Sequence, residues 1–126
     1  MVIRTEFSGG PPMDEGDEPT RSPAPTLETL GERVADFVAA RDWARFHSPK
    51  NLAMALSVEA AELVELFQWL TEAESGALDA ETRRRAAEEI ADVQIYLLQI
   101  AARLDVDIGT AVVDKLAKNA EKHPAP

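Results

Sequence analysis

A chain of 126 residues has room for one domain, and 45% hydrophobic with 29% charged residues is the balance of a soluble globular protein. It has no cysteine, which excludes disulfides, thiolate zinc sites and cysteine nucleophiles, and its net charge of -10 argues against a general nucleic-acid binder, which needs a basic face. No run approaches the roughly 18 apolar residues of a membrane span, and the N-terminus lacks a signal-peptide pattern, so the expected location is cytoplasmic.

Residues 1–25 read as a disordered tail. Pro11, Pro12, Pro19, Pro23 and Pro25 fall here among acids and few apolar residues. Such a segment cannot bury enough surface to offset its ordering entropy. Met13 is an alternative start, and the folded domain is expected over residues 26–126.

From Leu27 the pattern is helical. Leu27, Leu30, Val34, Phe37 and Val38 form an apolar stripe at spacings of three and four, with Thr26 as its N-cap. This first helix runs out around Trp43 to Phe46. Ser48 followed by Pro49 starts a second helix, because proline at the first helical position loses only an N–H that has no partner anyway. That helix is expected to reach about Leu70, carrying Leu52, Leu56, Leu63, Leu66 and Phe67. A polar connection around Thr71 to Leu78 leads to a third helix, capped by Asp79 and running to about Leu104. Asp107 caps a fourth, from Ile108 to about Lys122, stopped by Pro124. No stretch alternates like a strand. The expected architecture is all-α, a four-helix bundle with mostly antiparallel neighbours. The two middle helices are apolar around more than half their circumference, which predicts burial against other copies in a homo-oligomer.

Five acids sit in unusually apolar surroundings. Glu59, Glu62 and Glu65 recur every three residues on the second helix, among Leu56, Val58, Leu63, Val64 and Leu66. Residues three apart share a helix face, so Glu59 and Glu62 point the same way. Glu89 and Asp92 repeat the spacing on the third helix, beside Ile90 and Val93. Antiparallel packing of the two helices would bring four carboxylates together, and like charges that close repel unless a cation lies among them. Oxygen-only ligands favour a hard ion, magnesium where phosphate is also present. The plainer alternative is that these acids form solvated rims of amphipathic helices. A di-iron bundle is excluded, because no Glu-x-x-His pair occurs.

Lys115, Lys118 and Lys122, with Asn119 among them, line the fourth helix. They either complement its C-terminal dipole or receive phosphate oxygens. Trp43, Phe46, His47, Phe67 and Trp69 cluster near the ends of the first two helices, placed either to stack on a base or to pack at a subunit interface.

These residues resemble the all-α nucleoside triphosphate pyrophosphohydrolases related to MazG. The signature of that family is a Glu-x-x-Glu and a Glu-x-x-Asp on adjacent helices, here Glu59-Ala-Ala-Glu62 and Glu89-Ile-Ala-Asp92. The strings RDWARFHSPKNLA (41–53), EAAELVELFQW (59–69), EEIADVQIYLL (88–98) and KLAKNAEKHP (115–124) are similar to its dCTP pyrophosphatase branch. The resemblance implies a MazG-like bundle, assembled as a homotetramer, with magnesium held by Glu59, Glu62, Glu89 and Asp92. It implies a base near Trp43 and Trp69, with Tyr96, Lys115 and Asn119 around sugar or phosphates and His47 and Lys50 in the matching loop. The implied reaction cleaves a nucleoside triphosphate, dCTP or a modified dCTP, to its monophosphate and pyrophosphate, cleansing the nucleotide pool. The chain departs from the branch at Val34, where the resemblance implies a histidine near the base, and at His123, where it implies a tyrosine. The alternative to this activity is a non-catalytic helical module that binds nucleotides or other proteins.

Overall fold

The computed structural model describes residues 23–126. The reading of residues 1–25 as a tail, and of Met13 as a start, falls outside them except for Pro23 to Pro25, which are exposed and without regular structure. The elements in chain order are α1 (Leu27–Ala40), a 3₁₀ turn (Ala44–Phe46), α2 (Pro49–Glu65), a one-turn α3 (Glu72–Ser75), α4 (Ala80–Arg103) and α5 (Ile108–Lys122). The described residues contain no strand, and the all-α expectation holds.

Each helix begins on a side chain that satisfies an otherwise orphaned backbone donor. Thr26, Ser48, Asp79 and Asp107 accept the N–H of the residue three positions on, at 3.2, 3.1, 2.7 and 2.9 Å. Caps of this kind contribute about 1 kcal/mol each. All four lie where the sequence pattern sets them. The connection after α2 is more ordered than expected. Thr71 and Glu74 form a reciprocal capping box, with bonds of 3.1 and 3.0 Å, that folds Glu72–Ser75 into one helical turn.

Two helix ends depart from the sequence reading. After Glu65 the chain tightens into turns with i→i+3 bonds, Phe67 N–H to Val64 O and Leu70 N–H to Phe67 O, both 2.9 Å. The helix therefore stops short of Leu70, since Thr71 must adopt extended backbone (ψ 164) to cap α3. α1 stops at Ala40, short of Trp43, where the chain turns through Asp42 (φ 54); α4 closes in the same way through Asp105 (φ 53), at the end that the sequence pattern gives it. In both places the aspartate N–H and the N–H after it bond back to helix carbonyls: Asp42 to Ala39 and Trp43 to Val38, Asp105 to Ala102 and Val106 to Ala101. This is the closing motif glycine usually supplies, here made by a residue type that tolerates the left-handed region.

α4 is the axis of the fold, with α2 and α1 packed against it. Leu52 from α2, Val38 from α1, and Ala86, Leu98 and Ala101 from α4 are buried. α5 buries no residue. Val113 and Leu116 on it are 66% and 61% exposed, and Met54, Val58, Val64 and Ile90 leave more than half of their surface exposed. The apolar faces judged too wide for a monomer are thus uncovered in a single chain. No described helix is long and apolar enough to cross a membrane.

Candidate functional site

The packing of α2 on α4 sets the two acid pairs face to face. One carboxylate oxygen each from Glu59, Glu89 and Asp92 lies within 4.8 Å of the others. Glu62, one turn along α2 from Glu59, stands close enough to perturb both Glu59 and Glu89. All four side chains are half-buried. Glu59 Oε2 and Glu89 Oε2 are sequestered from solvent without a hydrogen-bond partner.

The electrostatics follow from that crowding. Loss of hydration raises the Glu59 carboxyl from 4.5 to about 7, aided by the neighbouring Glu62 carboxyl, then by the charges of Asp92 and Glu89. Glu89 is raised for the same leading reason, followed by the Glu62 charge. No cation relieves the cluster: among the described residues the ion pairs are Arg45–Asp42, Arg84–Glu81 and Arg84–Glu88. Arg84 is spent on its own helix, 2.7 and 2.6 Å from its two glutamates. A solvated rim would pair or hydrate its carboxylates. Converging oxygen donors, two of them orphaned and unneutralised, fit a hard divalent cation.

The remaining expected site residues are scattered differently. Tyr96 is half-buried on α4, one turn beyond Asp92. His47 ends the 3₁₀ turn and lines a cleft between α1 and α4 with Val34, Leu98, Gln99 and Arg103. Trp43 packs edge-on against Phe37, with ring centroids 5.8 Å apart, and Arg41 stacks over that phenylalanine at 3.5 Å. Trp69 projects from the turn after α2, 87% exposed. Lys115 and Asn119 are exposed on α5, outside the α2–α4 packing that builds the acid cluster. Sequence reasoning passed over Arg103. The available signal was its position, about two turns beyond Tyr96 on the helix face that already contains Glu89, Asp92 and Tyr96.

An all-helical fold with two facing acid pairs at three-residue spacing defines a class, and the sequence matches it directly. The chain belongs to the MazG-like family, which it matches over residues 54–126, a span that includes all four acids. It is similar to dCTP pyrophosphatase 1 of Homo sapiens, 49% identical over 106 residues, and of Rattus norvegicus, 48% identical over 105. Each comparison covers 82% of this chain and 62% of the relative, so the chain spans about three-fifths of the length of these relatives. Among solved structures it is similar to a pyrophosphatase from Archaeoglobus fulgidus, with a TM-score of 0.75 and 38% identity. That comparison covers 79% of this chain and 93% of the other.

Proposed function

We propose that this chain is a magnesium-dependent nucleoside triphosphate pyrophosphohydrolase, converting dCTP or a modified dCTP and water to the monophosphate and pyrophosphate. The observation that carries the reading is the convergence of Glu59, Glu89 and Asp92 within 4.8 Å, with Glu62 beside them and no basic side chain among the described residues paired with them. Membership of the MazG-like family and the likeness to dCTP pyrophosphatases support the reaction and the base.

In this reading Glu59, Glu62, Glu89 and Asp92 hold magnesium. The ion supplies charge to offset the build-up on the triphosphate oxygens in the transition state. The half-buried setting of the acids reduces, without abolishing, the screening of their charges by bulk water. A glutamate of the cluster takes a proton from the attacking water; the new bond forms to the α-phosphorus, and the bond to the bridging oxygen breaks as pyrophosphate leaves. Trp43, His47, Trp69 and Tyr96 are assigned to the nucleoside, and Lys115 and Asn119 to sugar or phosphates. Because α5 stands clear of the acid cluster, those two reach a site most directly in an assembly of several chains. A homotetramer that covers Val113, Leu116 and the outer faces of α2 and α4 fits the uncovered apolar surface. The cellular role is nucleotide-pool cleansing in the cytoplasm.

Hydrolysis of dCTP in ¹⁸O-enriched water tests where the bond is made. Label in the monophosphate and none in pyrophosphate is the expected result. Label in the released pyrophosphate, or release of a diphosphate, would contradict attack at the α-phosphorus.

A further inference from the structure

The turn Ala44–Phe46 buries no residue. Trp43 before it and Phe46 within it are 45% and 58% exposed, so apolar packing does not hold this segment in place. Hydrogen bonds do. Trp43 N–H donates to Val38 O at 3.2 Å, and His47 N–H donates to Ala44 O at 3.1 Å. Asn51 Nδ2 reaches back from the first turn of α2 to Phe46 O at 3.0 Å. From the other side Arg103 Nη2 donates to Ala44 O at 2.6 Å.

The Arg103 bond differs in kind from the rest. It joins residues 59 positions apart, whereas every other side-chain hydrogen bond among the described residues spans five positions or fewer. Local bonds shape a helix start or a turn; this one fastens a turn to a distant helix. Arg103 is the last residue of α4, where a basic side chain ordinarily serves its own helix's carbonyls. It takes part in none of the ion pairs among the described residues. Its guanidinium reaches a carbonyl on another element instead, and the charge on the donor strengthens that bond.

What the tie connects follows from α4. One helix carries Glu89, Asp92 and Tyr96 and then Arg103, about 16 Å along the axis from Asp92 at about 1.5 Å per residue. Trp43 and His47 flank the turn that Arg103 holds. Arg103 therefore fixes the place of those two residues relative to the acids of α4. Without it the turn stays joined to α1 through Val38 and to α2 through Asn51, but is released from α4. A loosened turn must be ordered again when a ligand binds, and that cost weakens binding without altering the chemistry at phosphorus.

We propose that Arg103 is a positioning residue: through Ala44 O it holds Trp43 and His47 where they meet the nucleoside, and it touches neither phosphates nor metal. The proposal rests on the function proposed above, which assigns Trp43 and His47 to the nucleoside.

The test compares wild type, Arg103→Met, Arg103→Lys and Arg45→Met. Methionine keeps an unbranched stem and removes the donors. Lysine retains one charged donor. The Arg45 change removes a cation from the turn itself and leaves the tie intact. Each is assayed with magnesium for dCTP turnover and for inhibition by the two products, dCMP and pyrophosphate. Arg103→Met should raise the KM for dCTP and the inhibition constant for dCMP about three- to tenfold. Its kcat, its inhibition by pyrophosphate and its melting-temperature rise with magnesium should stay at the wild-type values. Arg103→Lys should fall between the two, and Arg45→Met should match wild type. General damage to the fold would move all of these together. Unchanged dCMP inhibition in Arg103→Met overturns the proposal. So does an equal loss of pyrophosphate inhibition, which would put Arg103 on the phosphates, or an equal effect of Arg45→Met. Acrylamide quenching in a Trp69→Phe background, which leaves Trp43 as the one tryptophan, reads the turn without turnover. If wild type releases no pyrophosphate, the proposed function fails and quenching decides the tie alone: a higher quenching constant in Arg103→Met upholds it, and an unchanged one rejects it.

Discussion

Replacing Glu59 by glutamine should stabilise the metal-free protein while disabling it. Glu59 carries the clearest record of crowding, its carboxyl raised from 4.5 to about 7 by burial and by its acidic neighbours. Below about pH 4.5 the group is protonated whether the chain is folded or not, and it costs nothing. Between about 4.5 and 7 the folded chain holds a proton that the unfolded chain has released, so stability falls as pH rises. Above 7 the group is ionised in both states, and the full cost applies. The interval corresponds to about 3 kcal/mol between protonation states. Solvent screening at a half-buried site brings the measurable part to about 1–2 kcal/mol. Urea unfolding in EDTA at pH 5 and pH 8, at one protein concentration, reads the difference between wild type and Glu59→Gln directly, because every other group titrates in both. The variant should match wild type at pH 5 and exceed it by about 1–2 kcal/mol at pH 8. Millimolar magnesium should reverse the order by stabilising wild type alone. A variant equal to or weaker than wild type at pH 8 in EDTA would refute the crowding argument.

Glu62→Gln and Asp92→Asn should each abolish turnover while circular dichroism and gel filtration stay unchanged; near-normal activity in either would remove that residue from the site. Leu52 is 1% exposed, so Leu52→Ala should cost about 2–5 kcal/mol in urea unfolding, and a loss below about 1 kcal/mol would show that α2 does not anchor the fold there. The double change Val113→Asp and Leu116→Asp places charge on the uncovered face of α5. It should reduce the oligomer seen by light scattering to a smaller species, and an unchanged mass would mean that this face is not an interface.

The helix starts were legible because their signals are local. Thr26, Ser48-Pro49, Asp79 and Asp107 each act within three residues, and each caps its helix as the pattern says. The helix ends were less legible. Glycine is the usual sign of a closing turn, and α1 closes instead on Asp42 in left-handed backbone, short of the expected Trp43; α4 closes likewise on Asp105, but at the end its apolar pattern already gave. The end of α2 was also hidden, because Leu66, Phe67 and Leu70 continue the apolar pattern through turns that are no longer helical. At the candidate site the acid pairs could be read from spacing alone, since a three-residue repeat fixes a shared helix face. Their convergence needed the packing of α2 on α4. The part of Arg103 needed the turn after α1 to lie against the end of α4, which no local pattern records.

The central claim is tested most directly by pyrophosphate release from a panel of deoxynucleoside and ribonucleoside triphosphates, with magnesium and with EDTA. The account predicts release that requires magnesium and is led by dCTP or a modified dCTP. Release that persists in EDTA, or no release from any nucleotide with magnesium present, would contradict it.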